Sequence, residues 1–218
     1  MPEPSFTPQE IAEGRRLFAG DWRFLRAAAS IASLPPPRGV EVAFAGRSNV
    51  GKSSLVNALT GRHGLARISH TPGRTQELNF FCVHERWRLV DMPGYGYAAA
   101  SKTKVAAWTE LIRAYLRGRA NLARAYVLID ARHGIKSGDG TVFDLLDNAA
   151  VSYQIVLTKA DQVGDEALAA CLQETTAALA KRRAAFPEVL ATSARTGSGV
   201  AELRASIAKL VAEHGKGR

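Results

Sequence analysis

Cysteine is scarce in this chain: Cys82 and Cys171 are the only two among 218 residues, and neither stands in a paired spacing that a metal would use. That excludes a disulfide framework and a cysteine zinc site, and a reducing compartment, the cytoplasm, is expected. Long apolar runs are missing as well. No stretch approaches the roughly 20 residues needed to span a bilayer. Met1-Pro2-Glu3-Pro4 does not open a signal peptide, residue 2 is not glycine, and Gly215-Lys216-Gly217-Arg218 offers no cysteine for prenylation. No membrane attachment is expected. Internal repeats and low-complexity tracts are absent too. Acid is short relative to base: 20 Asp and Glu face 29 Lys and Arg, leaving a formal charge of +9 that draws a protein toward polyanions.

What the chain does have is apolar material for a core, with 46% hydrophobic and 22% charged residues. Residues 1–38, ending in Pro35-Pro36-Pro37, read as an N-terminal appendage with one helix from Pro8 to Phe18 started by Thr7. Residues 39–213 read as one α/β domain, and 214–218 as a basic tail. Within the domain, short apolar runs alternate with helix-period segments, as βα units require. The predicted strands are Val42–Ala45, Arg88–Asp91, Ala125–Asp130, Ile155–Thr158 and Val189–Ala191. A sixth, Glu77–Val83, is expected antiparallel to Arg88–Asp91. Helices follow from apolar residues three and four apart, such as Val105, Trp108, Ile112, Tyr115 and Leu116, or Val200, Leu203, Ile207 and Leu210. The expected architecture is a three-layer α/β domain, with a mostly parallel six-stranded sheet and one antiparallel strand.

Gly46-Arg47-Ser48-Asn49-Val50-Gly51-Lys52-Ser53 matches G-x-x-x-x-G-K-[ST] between a predicted strand and a predicted helix. In that setting glycines let main-chain amides turn inward around phosphate oxygens, with the helix amino terminus behind them. Lys52 would reach the β- and γ-phosphates and Ser53 would ligate Mg²⁺, with Ser54 following in the same turn. Asp91-Met92-Pro93-Gly94 ends a strand, where Asp91 can support Mg²⁺ from the second shell and the Gly94 amide can approach the γ-phosphate. Taken alone it is an ordinary turn; the P-loop upstream gives it meaning. Thr158-Lys159-Ala160-Asp161 matches [NT]-K-x-D and chooses the base. The Asp161 carboxylate can accept from N1–H and the exocyclic amine of guanine, and adenine offers neither. Thr192-Ser193-Ala194 can turn the Ala194 amide toward guanine O6, or be a plain serine-threonine turn. GTP or GDP is therefore the expected ligand, on a P-loop NTPase fold of the Ras-like G-domain kind, and an ATP-dependent kinase is disfavoured.

Several blocks together resemble one family. They are Glu41 to Ser54 (EVAFAGRSNVGKSS), Thr71 to Gln76 with Asn79-Phe80-Phe81, Asp91 to Ala98 (DMPGYGYA) and Ile129 to Gly134 (IDARHG). The chain is similar, from about Phe24 to Leu210, to the EngB (YihA) family of ribosome-biogenesis GTPases, in the TrmE-Era-EngA-EngB-Septin-like group. The resemblance implies a GTP-hydrolysing switch for assembly of the large ribosomal subunit in bacteria, and so for normal growth and division. It implies precursor ribosomal particles and ribosomal RNA as partners, with no DNA partner and a monomeric chain. It also implies that Thr75, in Gly73-Arg74-Thr75, closes on Mg²⁺ and the γ-phosphate. Read without the family, Gly61 to Arg74 holds three arginines, two histidines and no acid, so it also suits a mobile cationic loop, with Thr71 as the competing threonine.

Two residues bear on rate. Tyr95 stands where Ras-like enzymes place the glutamine that orients the attacking water, and a tyrosine cannot do that work. Asn49 holds the position at which related GTPases coordinate K⁺; the alternative is that it only hydrogen-bonds its own loop. Gln162 stands where relatives often carry lysine. Lys102, Lys104, Arg113, Arg117, Arg119 and Arg124, with only Glu110 against them, form a candidate surface for RNA phosphates or a solvated helix face. A nucleotide-dependent regulator of another RNA or protein complex is the alternative function.

Overall fold

Thr7 opens the first helix, α1 (Pro8–Phe18), as the sequence predicts. Its Oγ1 accepts from the Glu10 amide at 3.3 Å, and the Glu10 carboxylate accepts from the Thr7 amide at 2.8 Å. This reciprocal cap satisfies amides that a helix start otherwise leaves without partners. The computed structural model describes residues 6–66, 77–84, 87–96 and 102–215, and the side chains of all of these except 102–108. After α1 come β1 (Arg23–Ala28), β2 (Val40–Gly46), α2 (Lys52–Thr60), β3 (Leu78–His84), β4 (Trp87–Asp91) and α3 (Lys102–Gly118). They are followed by β5 (Leu122–Asp130), α4 (Ser137–Asn148), β6 (Tyr153–Thr158), α5 (Asp165–Leu179), β7 (Leu190–Ala191) and α6 (Val200–Gly215).

The strands form one sheet in the order β1-β3-β4-β2-β5-β6-β7. β3 is antiparallel to both of its neighbours, while every other pairing is parallel, so a single strand runs against the rest. Strand alternation then divides the core in two. Ala43, Ala45, Ala125, Val127, Ile129, Ile155 and Leu157 point to the face covered by α3, α4 and α5. Val42, Phe44, Tyr126, Leu128 and Val156 point to the face covered by α1, α2 and α6. Strands buried on both sides read as continuous apolar runs, which is why their positions were legible. Of the α3 residues named from its periodicity, Ile112, Tyr115 and Leu116 are buried, and the side chains of Val105 and Trp108 lie outside those described.

Among the described residues the sheet has seven strands where six were expected. The additional one, β1, comes from the segment read as an appendage and pairs with β3 along the sheet edge. Its sequence, RFLRAA, has neither an apolar run nor alternation, and its first four residues are exposed, so no core face was there to mark it. The same segment is anchored elsewhere. Trp22 packs edge-on against Trp87 with ring centroids 5.0 Å apart and donates from its indole to the Phe18 carbonyl at 3.0 Å. α1 crosses α6 so closely that a Cβ on Gly14 would lie 2.6 Å from the Ala205 amide nitrogen. Gly14→Ala is therefore expected to push the two helices apart and destabilise the protein by about 1–3 kcal/mol. A urea titration checks this; an unchanged midpoint would mean that the crossing is not tight.

Two members of the candidate RNA surface are removed from it. Arg119 is buried and forms a two-pronged pair with the fully buried Glu41, Nε to Oε2 at 2.8 Å and Nη2 to Oε1 at 2.6 Å. Its Nη1 donates to the Pro35 carbonyl at 2.8 Å. Arg124 is buried too, its guanidinium 3.8 Å from the centre of the Phe186 ring and bonded to Gln154 at 3.1 Å. Both serve the fold because the sheet offers each a partner that the sequence does not place next to it. Arg113 and Arg117 remain exposed, and the side chains of Lys102 and Lys104 lie outside those described.

Candidate nucleotide site

The carboxyl ends of β2, β4, β5, β6 and β7 bring the motif loops together, as open α/β sheets do with their ligand loops. β2 ends at Gly46 and α2 begins at Lys52, so the P-loop turns in five residues. That turn needs left-handed backbone at Gly51 (φ 96°) and at Asn49 (φ 65°). Glycine adopts it freely; a non-glycine there is uncommon and typical of functional loops. Ser53 and Ser54 are half-buried in the first turn of α2.

The loop after β4 lies alongside the P-loop. The Ser48 amide donates to the Tyr95 carbonyl at 2.9 Å, and the Tyr95 amide donates to the Gly46 carbonyl at 3.2 Å. Gly94 is pressed against Ser48, whose atoms a Cβ would meet at 3.2 Å. Lys52 forms an ion pair with Asp91, and both side chains are about nine-tenths buried. The phosphate motif and the second motif are thus one body.

The third motif is fastened to the first. Thr158 donates from Oγ1 to the Val50 carbonyl at 2.7 Å. Lys159, itself in left-handed backbone (φ 58°), donates to the Asn49 carbonyl at 2.7 Å and to Asp130 Oδ2 at 2.9 Å. Burial alone would raise the Asp130 carboxyl, but hydrogen bonds from Arg132 and Lys159 outweigh it and hold the group well below the usual carboxylate range. Asp161 projects from the short turn Ala160–Gln162. Its carboxyl is also lowered, first by a hydrogen bond from Ser193 and then by Arg195. Ser193 is buried and Ala194 half-buried, at the start of a turn closed by the Gly197 amide on the Ser193 carbonyl at 2.9 Å. Gly199 (φ 72°) ends that turn, and a Cβ there would strike the Ala191 carbonyl oxygen at 1.9 Å. This backbone clash explains the run Arg195 to Gly199: only glycine closes it.

A family model described as 50S ribosome-binding GTPase matches residues 41–159. The probable GTP-binding protein EngB of Rhodopseudomonas palustris (strain BisA53) is 65% identical over 208 residues, 94% of this chain and 96% of that protein. The chain belongs to the EngB family. Its counterpart in Bradyrhizobium diazoefficiens is 66% identical over 205 residues, 93% of this chain and 94% of that one. A crystal structure of a probable GTP-binding protein engB aligns with a TM-score of 0.62 at 23% identity, over 80% of this chain and all of that one, and shows the same fold. As an EngB-family protein, the chain binds guanine nucleotide and is a GTPase, converting GTP to GDP and phosphate.

Of the residues named from sequence, this EngB-family structure brings together Gly46 to Ser54, Asp91, Gly94, Thr158, Lys159, Asp161, Ser193 and Ala194. Gly73, Arg74, Thr75 and the competing Thr71 lie outside the described residues. Reasoning from motifs missed Asp130 and Asp139. The signal for Asp130 was a carboxylate at a strand's carboxyl end, next to the sheet's ligand side. Asp139 is fully buried in the first turn of α4, accepting from the Lys136 amide at 2.7 Å and from the Tyr95 hydroxyl at 3.0 Å. Burial, followed by the nearby Asp139 charge, pushes the Tyr95 phenol far up, so it stays protonated and donates. Among the described residues no group of three or more acidic, histidine or cysteine side chains could hold a metal alone, and no helix is long and apolar enough to cross a membrane.

Proposed function

We propose that this GTPase is a switch in the assembly of the large ribosomal subunit, acting in the cytoplasm as a monomer on precursor particles and their RNA. The observation that carries the nucleotide part is the pair of bonds from Thr158 and Lys159 to the Val50 and Asn49 carbonyls, which lock the base motif to the phosphate loop. In this reading amides within Gly46 to Ser54, other than that of Ser48, which is bonded to Tyr95, wrap the phosphates, and Lys52 moves from Asp91 to the β- and γ-oxygens. The Gly94 amide meets the γ-phosphate, and the Gly73-Arg74-Thr75 loop closes over it. Asp161, oriented by Ser193, takes the guanine edge, and the Ala194 amide takes O6. The ribosomal part is supported by the family's description as ribosome-binding and by the +9 charge.

The Ser53 hydroxyl, half-buried in the first turn of α2, fits Mg²⁺ as a hard oxygen; with phosphate oxygens it would hold the ion, Thr75 would add a second hydroxyl, and Asp91 would support it from behind. Mg²⁺ usually depends on few protein ligands and on the nucleotide itself. When bound, the ion neutralises charge that develops on the phosphates. This chain's own contribution is positioning: main-chain amides and Lys52 face the leaving phosphate oxygens. Tyr95 orients no water in this scheme, because its hydroxyl is committed to Asp139. Slow intrinsic hydrolysis follows, with the remaining charge supplied by a partner or by K⁺ at Asn49. Hydrolysis is expected to run faster in potassium than in sodium at equal ionic strength; equal rates, with and without ribosomal particles, would remove the cation from Asn49.

Cosedimentation with large-subunit particles tests the switch. Binding is expected with a non-hydrolysable GTP analogue, to weaken with GDP, and to fall steeply with salt because each phosphate contact releases counterions. Binding indifferent to both nucleotide and salt would favour a regulator of a different complex.

A further inference from the structure

The carboxylate assigned above to the purine already has a partner within this chain. Arg195 donates from Nε to Asp161 Oδ2 at 2.7 Å, and its Nη2 lies 2.7 Å from the same oxygen. That oxygen therefore already accepts a charge-assisted hydrogen bond and has the guanidinium packed against it. The edge of guanine presents two parallel N–H donors, one for each carboxylate oxygen, and so needs Oδ2 as one of its two acceptors. The two compete for Oδ2. The surroundings make the exchange feasible, because the Arg195 side chain is 72% exposed while that of Asp161 is 8% exposed. The guanidinium therefore reaches a sheltered acid from the solvent side and can return to water without leaving a buried cation behind. Residues 195–198 are exposed throughout, and the turn is shaped by Ser193 and Gly199, not by the ion pair.

We propose that Arg195 is an affinity-determining residue for the nucleotide, an intramolecular competitor that the guanine edge must displace from Asp161. The inference rests on the assignment of Asp161 to the base, and the experiment separates the two. Arg195→Ala should bind GDP about two- to fivefold more tightly than the unaltered protein at low salt, the range expected of an exposed ion pair. The difference should shrink in about 0.5 M salt, where the Debye length is about 4 Å, because the competing pair is screened. Asp161→Asn supplies the control. Its amide can donate to the 2-oxo group of xanthine, and it no longer attracts Arg195 as an ion, so Arg195→Ala in that background should not tighten binding of xanthosine diphosphate. Matched melting temperatures confirm that the variants are folded. Unchanged or weaker GDP binding by Arg195→Ala overturns the proposal, as does equal tightening in the Asp161→Asn background. If the unaltered protein shows no preference for GDP over ADP, it is the base assignment that fails.

Discussion

Asp161→Asn is expected to lower GDP affinity by a factor on the order of 10² to 10⁴ while leaving the melting temperature close to that of the unaltered protein. Two charge-assisted bonds to guanine are lost, and the new amide turns a donor toward the base's own donors. The fold loses little, since among the described residues the side chains bonded to this carboxylate are Ser193 and the exposed Arg195. Xanthosine diphosphate should bind the variant better than GDP does, because its 2-oxo group accepts where guanine donates. Titrating GDP, ADP and xanthosine diphosphate against both proteins checks the claim. A GDP affinity within about threefold of the original would sink the role given to Asp161, since threefold is about 0.65 kcal/mol, below the roughly 1.5–3 kcal/mol of a single hydrogen bond to a charged group.

Arg119→Ala should have the opposite profile, a large loss of stability with no direct effect on nucleotide contacts. Glu41 is fully buried at the start of β2, at the end of the sheet away from the motif loops. Arg119 meets both of its oxygens, and Arg88 stands at 3.5 Å from one of them. Removing one partner of such a pair costs about 3–5 kcal/mol, chiefly because the remaining charge stays buried. Arg88 offers partial compensation, so a value near the lower bound is expected, a fall in melting temperature of about 6–12 °C for a chain of this size. Thermal and urea denaturation measure it. Replacing Glu41 and Arg119 together by apolar residues should recover much of the loss; if the double variant is worse than either single one, the pair contributes more than its own neutralisation.

Some parts of this protein were open to reading in one dimension and others were not, and the difference is physical. β2, β5 and β6 are buried on both faces, so their sequences are apolar runs that no loop would carry. The P-loop was legible because a phosphate cradle demands glycine, lysine and serine within eight consecutive residues. β1 was not, because an exposed edge strand is specified by the neighbour it pairs with, here β3, more than 50 residues away by its register (Phe24 with Phe81). Arg119 and Arg124 were read as surface charge for a similar reason. A basic side chain looks the same in sequence whether it faces solvent or a carboxylate 78 positions distant.

The chain's linear order was enough to identify a guanine-nucleotide-binding GTPase and to propose how it holds its ligand, a triphosphate by main-chain amides and a purine by one carboxylate. Those needs are local, met by short stretches at strand ends. Folding alone decided how the pieces constrain each other, with Lys159 fastening the P-loop to Asp130, Tyr95 turned onto Asp139, and Arg195 laid across Asp161. Each of these contacts joins residues 29 or more positions apart, and such pairings exist only once the sheet has brought its strand ends to one edge.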